Sequence, residues 1–220
     1  MRRAIFGLLL LATAWLVLGH RYLPLVDWPE HLAQDAIVGH MGDASFGTDR
    51  YYRTTGWFLP YQGFRWIHIA LANAFGTDLG GRIALLGYLL GTPLAVAALL
   101  KRFGRDPWLA LAAFLVLVEG NFLWGFAPYS LAVALSLGAL VLAIDYGRVG
   151  GTWRIAALGG LGALVFFTHA QQTAVHVVSL AVLGIVAWRR HAMSTRRLVG
   201  FALAAAVLSL LLSTYLLSPK

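Results

Sequence analysis

The feature that most constrains this chain is a series of apolar runs, each close to the length that an α-helix needs to cross a membrane. Crossing the hydrocarbon core takes about 20 predominantly apolar residues. Candidate runs lie at 4–19, 80–100, 107–124, 126–146, 153–170, 171–188 and 198–217. The sequence therefore predicts an all-α integral membrane protein with about seven transmembrane helices, in a single polytopic domain over 1–220.

The composition of the chain argues against an ordinary soluble domain. Hydrophobic residues make up 60% of the chain and charged residues 12%, whereas soluble domains carry about 25% charged residues. The net charge of +8 does not indicate nucleic-acid binding, because the basic residues lie in small groups between the apolar runs, as they do beside membrane spans. Cysteine is absent, which excludes disulfides and thiolate metal sites.

The first apolar run follows Met1-Arg2-Arg3 and resembles both a membrane span and a secretory signal peptide. The apolar core of a signal peptide is usually about 7–15 residues long and ends in an A-x-A-like cleavage site. This run is slightly longer and has no such site. It is therefore interpreted as an uncleaved first span with the amino terminus in the cytoplasm.

A further run, 59–75, is ambiguous because it contains Arg65 and His68, which are costly in a lipid-facing span. If this run does not cross, eleven of the 17 Lys and Arg residues fall on the cytoplasmic side and seven of the nine acids fall outside. If it crosses, later basic groups such as Lys101-Arg102 face outward, against the positive-inside rule. The sequence therefore predicts an extracytoplasmic first loop over 20–79 that contains interfacial helices.

The segment with the most suggestive chemistry lies at the start of this loop. Asp27, His31 and Asp35 are spaced i, i+4, i+8 and would project from one face of a helix that begins near Pro29. A carboxylate and an imidazole on one face can accept a proton or hold a divalent cation, which makes Asp27 and His31 candidate metal ligands. The structural alternative is a capping box, in which Asp27 caps the helix and Glu30 reaches back.

Two further polar residues lie near the outer ends of predicted spans. Glu119 lies near the outer end of the third apolar run, so it is expected to face the bundle interior or a wet cavity, on the same side as Asp27. The alternative is that Glu119 is a loop residue that lies at the level of the lipid headgroups. His169 lies in the tight turn between the fifth and sixth spans, where it is either a ligand or proton carrier or a structural residue.

Several segments resemble the GT-C glycosyltransferases of the membrane. Val26-Asp27-Trp28-Pro29-Glu30-His31 is similar to the Asp-x-Pro-x-His stretch of bacterial members, and 60–65, 80–85 and 121–129 also look like theirs. The resemblance implies transfer of a sugar from a polyprenyl-phosphate donor to an acceptor at the extracytoplasmic face of a bacterial inner membrane. It also implies that the first-loop acid, Asp27, activates the acceptor beside a divalent metal ion.

The resemblance leads to a set of expected site residues. Asp27 is the expected base, and Glu30, His31 and Glu119 are expected to shape a metal or acceptor site. The substrate-binding candidates are Arg50, Arg53, Arg65 and His169. The arginines are chosen because guanidinium groups bind phosphate bidentately. The expected partners are membrane lipid and the polyprenyl-phosphate donor, with no nucleic acid.

Members of the GT-C superfamily usually have more spans and a carboxy-terminal part, whereas this sequence ends at Lys220. The chain is therefore expected to be an amino-terminal fragment or a reduced relative. The functional alternative is a non-catalytic scaffold or transporter subunit whose outer loop binds a partner. A transporter is expected to show internal repeats, which are not evident in this sequence. A scaffold requires only a packed bundle, which the G-x-x-x-G spacing of Gly87 and Gly91 favours.

Overall fold

The structure, a computed structural model, describes residues 2–53 and 58–218 and is all-helical over those residues. Its α-helices are α1 Arg2–Leu18, α2 Trp28–Gly39, α3 Gln62–Phe75, α4 Thr77–Arg102, α5 Leu111–Leu115, α6 Gly120–Trp124, α7 Ala127–Val149, α8 Thr152–Thr168, α9 Ala170–Arg189 and α10 Thr195–Leu217. Short 3₁₀-helices occupy Thr48–Arg50 and Pro107–Ala110. The all-α prediction is therefore confirmed for the described residues.

Within the described residues, four helices are long and apolar enough to cross a membrane, namely α4, α7, α9 and α10. They contain 20 to 26 residues, which at about 1.5 Å per residue matches the thickness of the hydrocarbon core. Helix α8 is a shorter apolar helix of 17 residues. The chain thus has the length and composition of a helical membrane protein.

The segment 107–124 differs from the predicted continuous span. It consists of the 3₁₀-helix Pro107–Ala110, then α5 and α6, with an irregular stretch at 116–119. The Leu117 carbonyl accepts a hydrogen bond from the Tyr88 hydroxyl at 2.9 Å, and Glu119 caps the new helix α6. The prediction of one helix over 107–124 is wrong because these side chains satisfy the backbone groups that a continuous helix would pair internally.

The broken segment 107–124 nevertheless lies alongside α1 from one end of that helix to the other. Asp106 forms an ion pair of 2.9 Å with Arg2 at the start of α1, and Phe114 contacts Phe6 edge to face. Farther along, Phe122 joins the same buried cluster as Val17 near the end of α1. Within the irregular stretch 116–119, Leu117 is buried at 2% exposure, whereas Val116 and Val118 are exposed. Protein therefore buries this irregular backbone, the condition for tolerating it at membrane depth, only around Leu117.

The charged and polar residues of the bundle lie at two opposite ends, named here the basic end and the loop end. Arg102 pairs with Asp145 at 2.6 Å, and Arg197 donates to the backbone carbonyls of Gly147 and Arg148. The basic end comprises Arg2, Lys101, Arg102, Asp106, Asp145, Arg148, Arg190 and Arg197. The loop end comprises the segment 20–53, α3, the start of α4, Gly125 and His169.

Helix α3 corresponds to the predicted loop helix 59–75. Its 14 residues give a length of about 21 Å, shorter than the hydrocarbon core of about 30 Å. Gly63 allows its first turn to approach the backbone of Thr168 at the end of α8, and Gly80 in α4 lies against the backbone of Ala72. Helix α3 therefore bridges the carboxyl end of α8 and the amino end of α4.

The buried guanidinium of Arg82 holds the end of α1 against α4. It donates to the carbonyls of Val17, His20 and Arg21 at 2.5 to 2.7 Å, and to Asp78 at 2.8 Å. The last carbonyls of a helix lack partners within the helix. Arg82 supplies those partners and fixes where the chain enters the loop end.

Helices α4 and α7 pack closely against each other in the middle of the bundle. A methyl group at Gly87 would lie 3.1 Å from Leu131, and one at Gly91 would lie 3.4 Å from the β-carbon of Ala134. These contacts agree with the close approach that the G-x-x-x-G spacing predicts. They support the interpretation of a packed bundle, which is common to enzymes and scaffolds.

Candidate functional site

The loop end brings together two segments that lie far apart in the sequence. The amide of Val26 donates to the Leu123 carbonyl at 3.1 Å, and the amide of Asp27 donates to the Trp124 carbonyl at 2.9 Å. Gly125 ends α6 with a left-handed backbone (φ 85°), and a β-carbon there would lie 2.8 Å from the Asp27 nitrogen. The start of α2 is therefore docked on the end of α6.

Asp27 occupies the N-cap position of α2 but does not cap it. Its carboxylate makes no cap hydrogen bond, and it has no hydrogen bond or ion pair with any residue among 2–53 and 58–218. Glu30 is exposed and accepts from Gln34 at 2.8 Å instead of reaching back to Asp27. The predicted capping box does not form, so the carboxylate of Asp27 is left without a structural partner among the described residues.

His31 lies one helical turn after Asp27 and is half-buried, with its ring 5.9 Å from that of Phe64. Burial lowers the pKa of His31 below its ordinary value, and the carboxylates of α2 and the Gly125 carbonyl offset only part of this effect. The imidazole is therefore neutral at pH 7 and able to accept a proton. A free carboxylate and a neutral imidazole stand close together at the loop end.

An apolar cavity of about 360 Å³ lies beside the segment that leads to Asp27, although neither Asp27 nor His31 lines it. Its lining residues include Leu16 and Val17 from α1, Leu25 from the loop, and Phe122 and Leu123 from α6. The Leu123 carbonyl is the acceptor for the amide of Val26, so the cavity borders the backbone that carries Asp27. A cavity of this size and lining can hold part of an apolar ligand.

Asp35, the third residue of the predicted face, is engaged elsewhere. It is 5% exposed and accepts from Arg65 Nε at 2.8 Å and from His68 Nδ1 at 2.6 Å. Arg65 also donates to Gln34 at 3.0 Å and to Gln62 at 3.2 Å. Arg65 was predicted to bind phosphate. In the structure its guanidinium donates to side chains of α2 and α3 and links the two helices.

The sequence interpretation missed His68 as a member of this network. His68 is fully buried, and its two ring nitrogens face the Asp35 carboxylate and the Thr77 carbonyl, at 2.6 and 2.8 Å. Burial lowers its pKa, but the hydrogen bonds to these acceptors and the charge of Asp35 raise it more, and the net pKa of His68 is raised. Because both partners are hydrogen-bond acceptors, both ring nitrogens have to donate. His68 therefore fits this network as the protonated imidazolium.

Because the pKa of His68 is raised on folding, its contribution to stability is complete below the unfolded pKa of about 6.5. That contribution is lost as the pH rises through the higher folded pKa. We expect the unfolding temperature of the protein in detergent to fall from pH 6 toward alkaline pH. His68→Gln should flatten this decline, whereas replacement of the exposed His40 should not. An unchanged pH slope in His68→Gln would rule out this role.

Glu119 acts as a helix cap in the structure. Its carboxylate accepts from the amides of Asn121 and Phe122 at 2.9 and 3.1 Å, and from the Asn121 side chain at 3.0 Å. Asp27 binds the other end of α6, about 8 Å farther along a five-residue helix. Glu119 is thus near the candidate site, but its oxygens stabilise the start of α6, which argues against the predicted catalytic role.

His169 caps α9 and lies in an aromatic setting at the loop end. Its Nδ1 accepts from the Gln172 amide at 3.4 Å, and its ring stands edge to face against Tyr61 and Tyr129, with centroids 5.0 and 5.2 Å away. Burial lowers the pKa of His169. No contact among the described residues joins it to Asp27, so the two belong to one end of the bundle without forming one cluster.

Arg50 and Arg53 are exposed in the loop. Arg50 ends the 3₁₀-helix Thr48–Arg50, and neither side chain forms an ion pair with a residue in the described ranges. They are the two predicted phosphate ligands whose guanidinium groups are not engaged by a carboxylate there. No contact in those ranges brings either one to Asp27.

The predicted metal site rests on two protein ligands, Asp27 and His31. Within 2–53 and 58–218, no group of three His, Cys, Asp or Glu side chains comes close enough to hold a metal ion. Two ligands are one fewer than the three that catalytic zinc sites typically have. A magnesium ion, however, is usually held by one or two carboxylates together with substrate phosphates, so the divalent metal ion stays a prediction.

No family model, curated protein or solved structure matches this chain. The fold class alone does not determine a function. The candidate function therefore rests on the site itself. Its features are an Asp27 carboxylate without a partner among the described residues, the neutral His31, and the apolar cavity beside the segment that leads to Asp27.

Proposed function

We propose that the chain is a GT-C-like glycosyltransferase that moves a sugar from a polyprenyl-phosphate donor to an acceptor at the extracytoplasmic face. The single observation that carries this proposal is that the Asp27 carboxylate, at the loop end, has no structural partner among the described residues. A carboxylate that no protein donor engages is free to accept a proton from a bound hydroxyl. The resemblance of 26–31 to the GT-C first-loop segment agrees with this role.

In the proposed reaction, Asp27 accepts the proton of an acceptor hydroxyl as that oxygen attacks the anomeric carbon. The bond between the anomeric carbon and the phosphate oxygen breaks, and the electron pair leaves with the polyprenyl phosphate. General base catalysis requires the base within hydrogen-bond reach of the proton it takes. His31, one helical turn after Asp27 and neutral because burial lowers its pKa, relays the same proton in this proposal.

The donor is held by its two chemically different parts. The apolar cavity beside Val26 takes the first part of the polyprenyl chain, because its lining is almost entirely aliphatic and aromatic. Arg50 and Arg53 bind the phosphate, since their guanidinium groups have no carboxylate partner within the described ranges and suit phosphate geometry. If a divalent cation takes part, Asp27 and His31 would hold it together with phosphate oxygens of the sugar donor.

The proposed topology has seven crossings, with the amino terminus in the cytoplasm of a bacterium and the loop end outside its inner membrane. It supposes that α1, the broken segment 107–124 and α8 cross together with the four longer helices. The grouping of cations at the basic end supports this orientation, because cytoplasmic loops are rich in Lys and Arg. In this arrangement α3 lies along the outer surface.

Reporter fusions test the topology. Fusions after Arg102, Arg148 and Arg190 should all report the cytoplasm, and a fusion after Ser45 should report the outside. The reason is that the first three sites belong to the basic end and Ser45 belongs to the loop end. Opposite locations for the fusions at Arg102 and Arg148 would contradict the crossing of 107–124.

A non-catalytic scaffold or transporter subunit is the competing function, and two observations favour a scaffold. Glu119 caps α6, and Arg65 is bound to Asp35, so two predicted site residues have structural roles. Asp27 distinguishes the hypotheses because it has no such role among the described residues. Sugar transfer measured in wild-type protein and in Asp27→Asn is therefore the experiment that tests the proposal.

A further inference from the structure

The largest described cavity at the basic end lies at the opposite end of the bundle from Asp27. Its volume is about 530 Å³, within the range of sites that bind small molecules. It lies among the carboxyl ends of α4, α7 and α9 and the turn that leads to α10. This cavity has no part in the proposed sugar transfer.

The walls of this cavity divide into an apolar floor and a cationic rim. The floor is formed mainly by Ala143, Ile144, Leu183, Val186, Ala187 and Phe201. The rim carries Lys101, Arg102, Arg148 and Arg190. A ligand that fits both surfaces has an anionic group joined to an apolar chain.

The rim has more positive charge than its carboxylate neighbour can neutralise. Arg102 is paired with Asp145 through both carboxylate oxygens, at 2.8 and 2.6 Å. Arg148 donates to the backbone carbonyl of Arg102. Lys101 and Arg190 have no ion pair with any residue of the described ranges. Two cations are therefore available to an anion at the rim.

A simpler interpretation is that these cations only offset the partial negative charge at helix ends. Lys101 and Arg102 are in the last turn of α4, and Arg148 is in the last turn of α7, where cations are favourable. That explanation accounts for the positions of the cations but not for an apolar cavity between them. The combination of rim and floor is what indicates a ligand.

We propose that this cavity binds an anionic phospholipid, with its phosphate at Lys101 and Arg190 and an acyl chain on the apolar floor. Basic pockets between membrane helices are suited to anionic headgroups. The four helices able to cross a membrane place such lipids beside the cavity. The proposal is independent of the sugar-transfer proposal, because it uses none of the loop-end residues.

The test measures lipid retention by the purified protein, using native mass spectrometry with phosphatidylglycerol and phosphatidylcholine. Wild-type protein should retain phosphatidylglycerol in preference to phosphatidylcholine. Lys101→Gln with Arg190→Gln should lower that affinity about 25-fold, since each cation near the headgroup contributes about fivefold. The matched control is Arg3→Gln with Arg189→Gln, which removes two cations that do not line the cavity and should leave the preference unchanged.

A second pair of measurements separates a lipid from a free phosphate. Ala187→Phe fills part of the floor without changing charge and should weaken phosphatidylglycerol retention. Soluble glycerol phosphate should fail to displace the lipid at the same concentration. Equal retention of the two lipids, equal losses in the two double variants, or displacement by glycerol phosphate would each overturn the proposal.

Discussion

Asp27→Asn is expected to lower the rate of sugar transfer by about 10²–10⁴-fold, the contribution typical of a positioned general base. Asn has nearly the same shape as Asp but cannot accept the proton. The Asp27 carboxylate makes no hydrogen bond or ion pair with any described residue. The substitution therefore should leave the unfolding temperature close to that of the wild-type protein.

The matched control for this substitution is Asp43→Asn. Asp43 is an exposed acid of the same loop whose carboxylate accepts from the amide and hydroxyl of Ser45. The same loss of charge there should leave sugar transfer unchanged. Full activity in Asp27→Asn would exclude the catalytic role and leave the scaffold as the better explanation.

Arg82→Ala is expected to lower the free energy of unfolding by about 1.5–3 kcal/mol, the contribution typical of hydrogen bonds that involve a charged group. Arg82 is 6% exposed and donates to the backbone carbonyls of Val17, His20 and Arg21, at the end of α1 and just after it. The hydrogen bond to Val17 is buried, so its loss also leaves a buried carbonyl without a donor. The ion pair with Asp78 adds little, because Asp78 is 63% exposed.

Unfolding of the protein in mixed detergent micelles measures this effect. Arg82→Lys should recover part of the stability, since an ammonium cannot reach three carbonyls with the geometry of a guanidinium. Arg154→Ala is the control, because Arg154 donates to one carbonyl, that of Gly150. A change below about 1 kcal/mol in Arg82→Ala would contradict the role of Arg82 as the link between α1 and α4.

The helices of the bundle could largely be predicted from the sequence, because a long apolar run is itself the condition for a membrane helix. The run 107–124 shows the limit of that reasoning. Its continuity is interrupted at 116–119 by a hydrogen bond from Tyr88, which is 29 residues away. Such a long-range contact leaves no trace in the hydropathy of the run.

The candidate site could be predicted only in part. The i, i+4, i+8 spacing predicted that Asp27, His31 and Asp35 would share one face of a helix, and the charges of both carboxylates raise the pKa of His31 against the larger lowering by burial. The spacing could not show that Asp35 pairs with Arg65 and His68, which are 30 and 33 residues away. One signal was available: Arg65 and His68 are spaced i, i+3, so they share one face of α3.

The decisive measurement for sugar transfer follows a labelled sugar on polyprenyl phosphate. Membranes from cells of the native host that lack the chain supply the acceptor, and purified protein is added back. Wild-type protein should move the label from the lipid fraction to an acceptor and free an equal amount of polyprenyl phosphate, whereas Asp27→Asn should not. Label that stays on the lipid at the background rate with wild-type protein would contradict the proposed transferase activity.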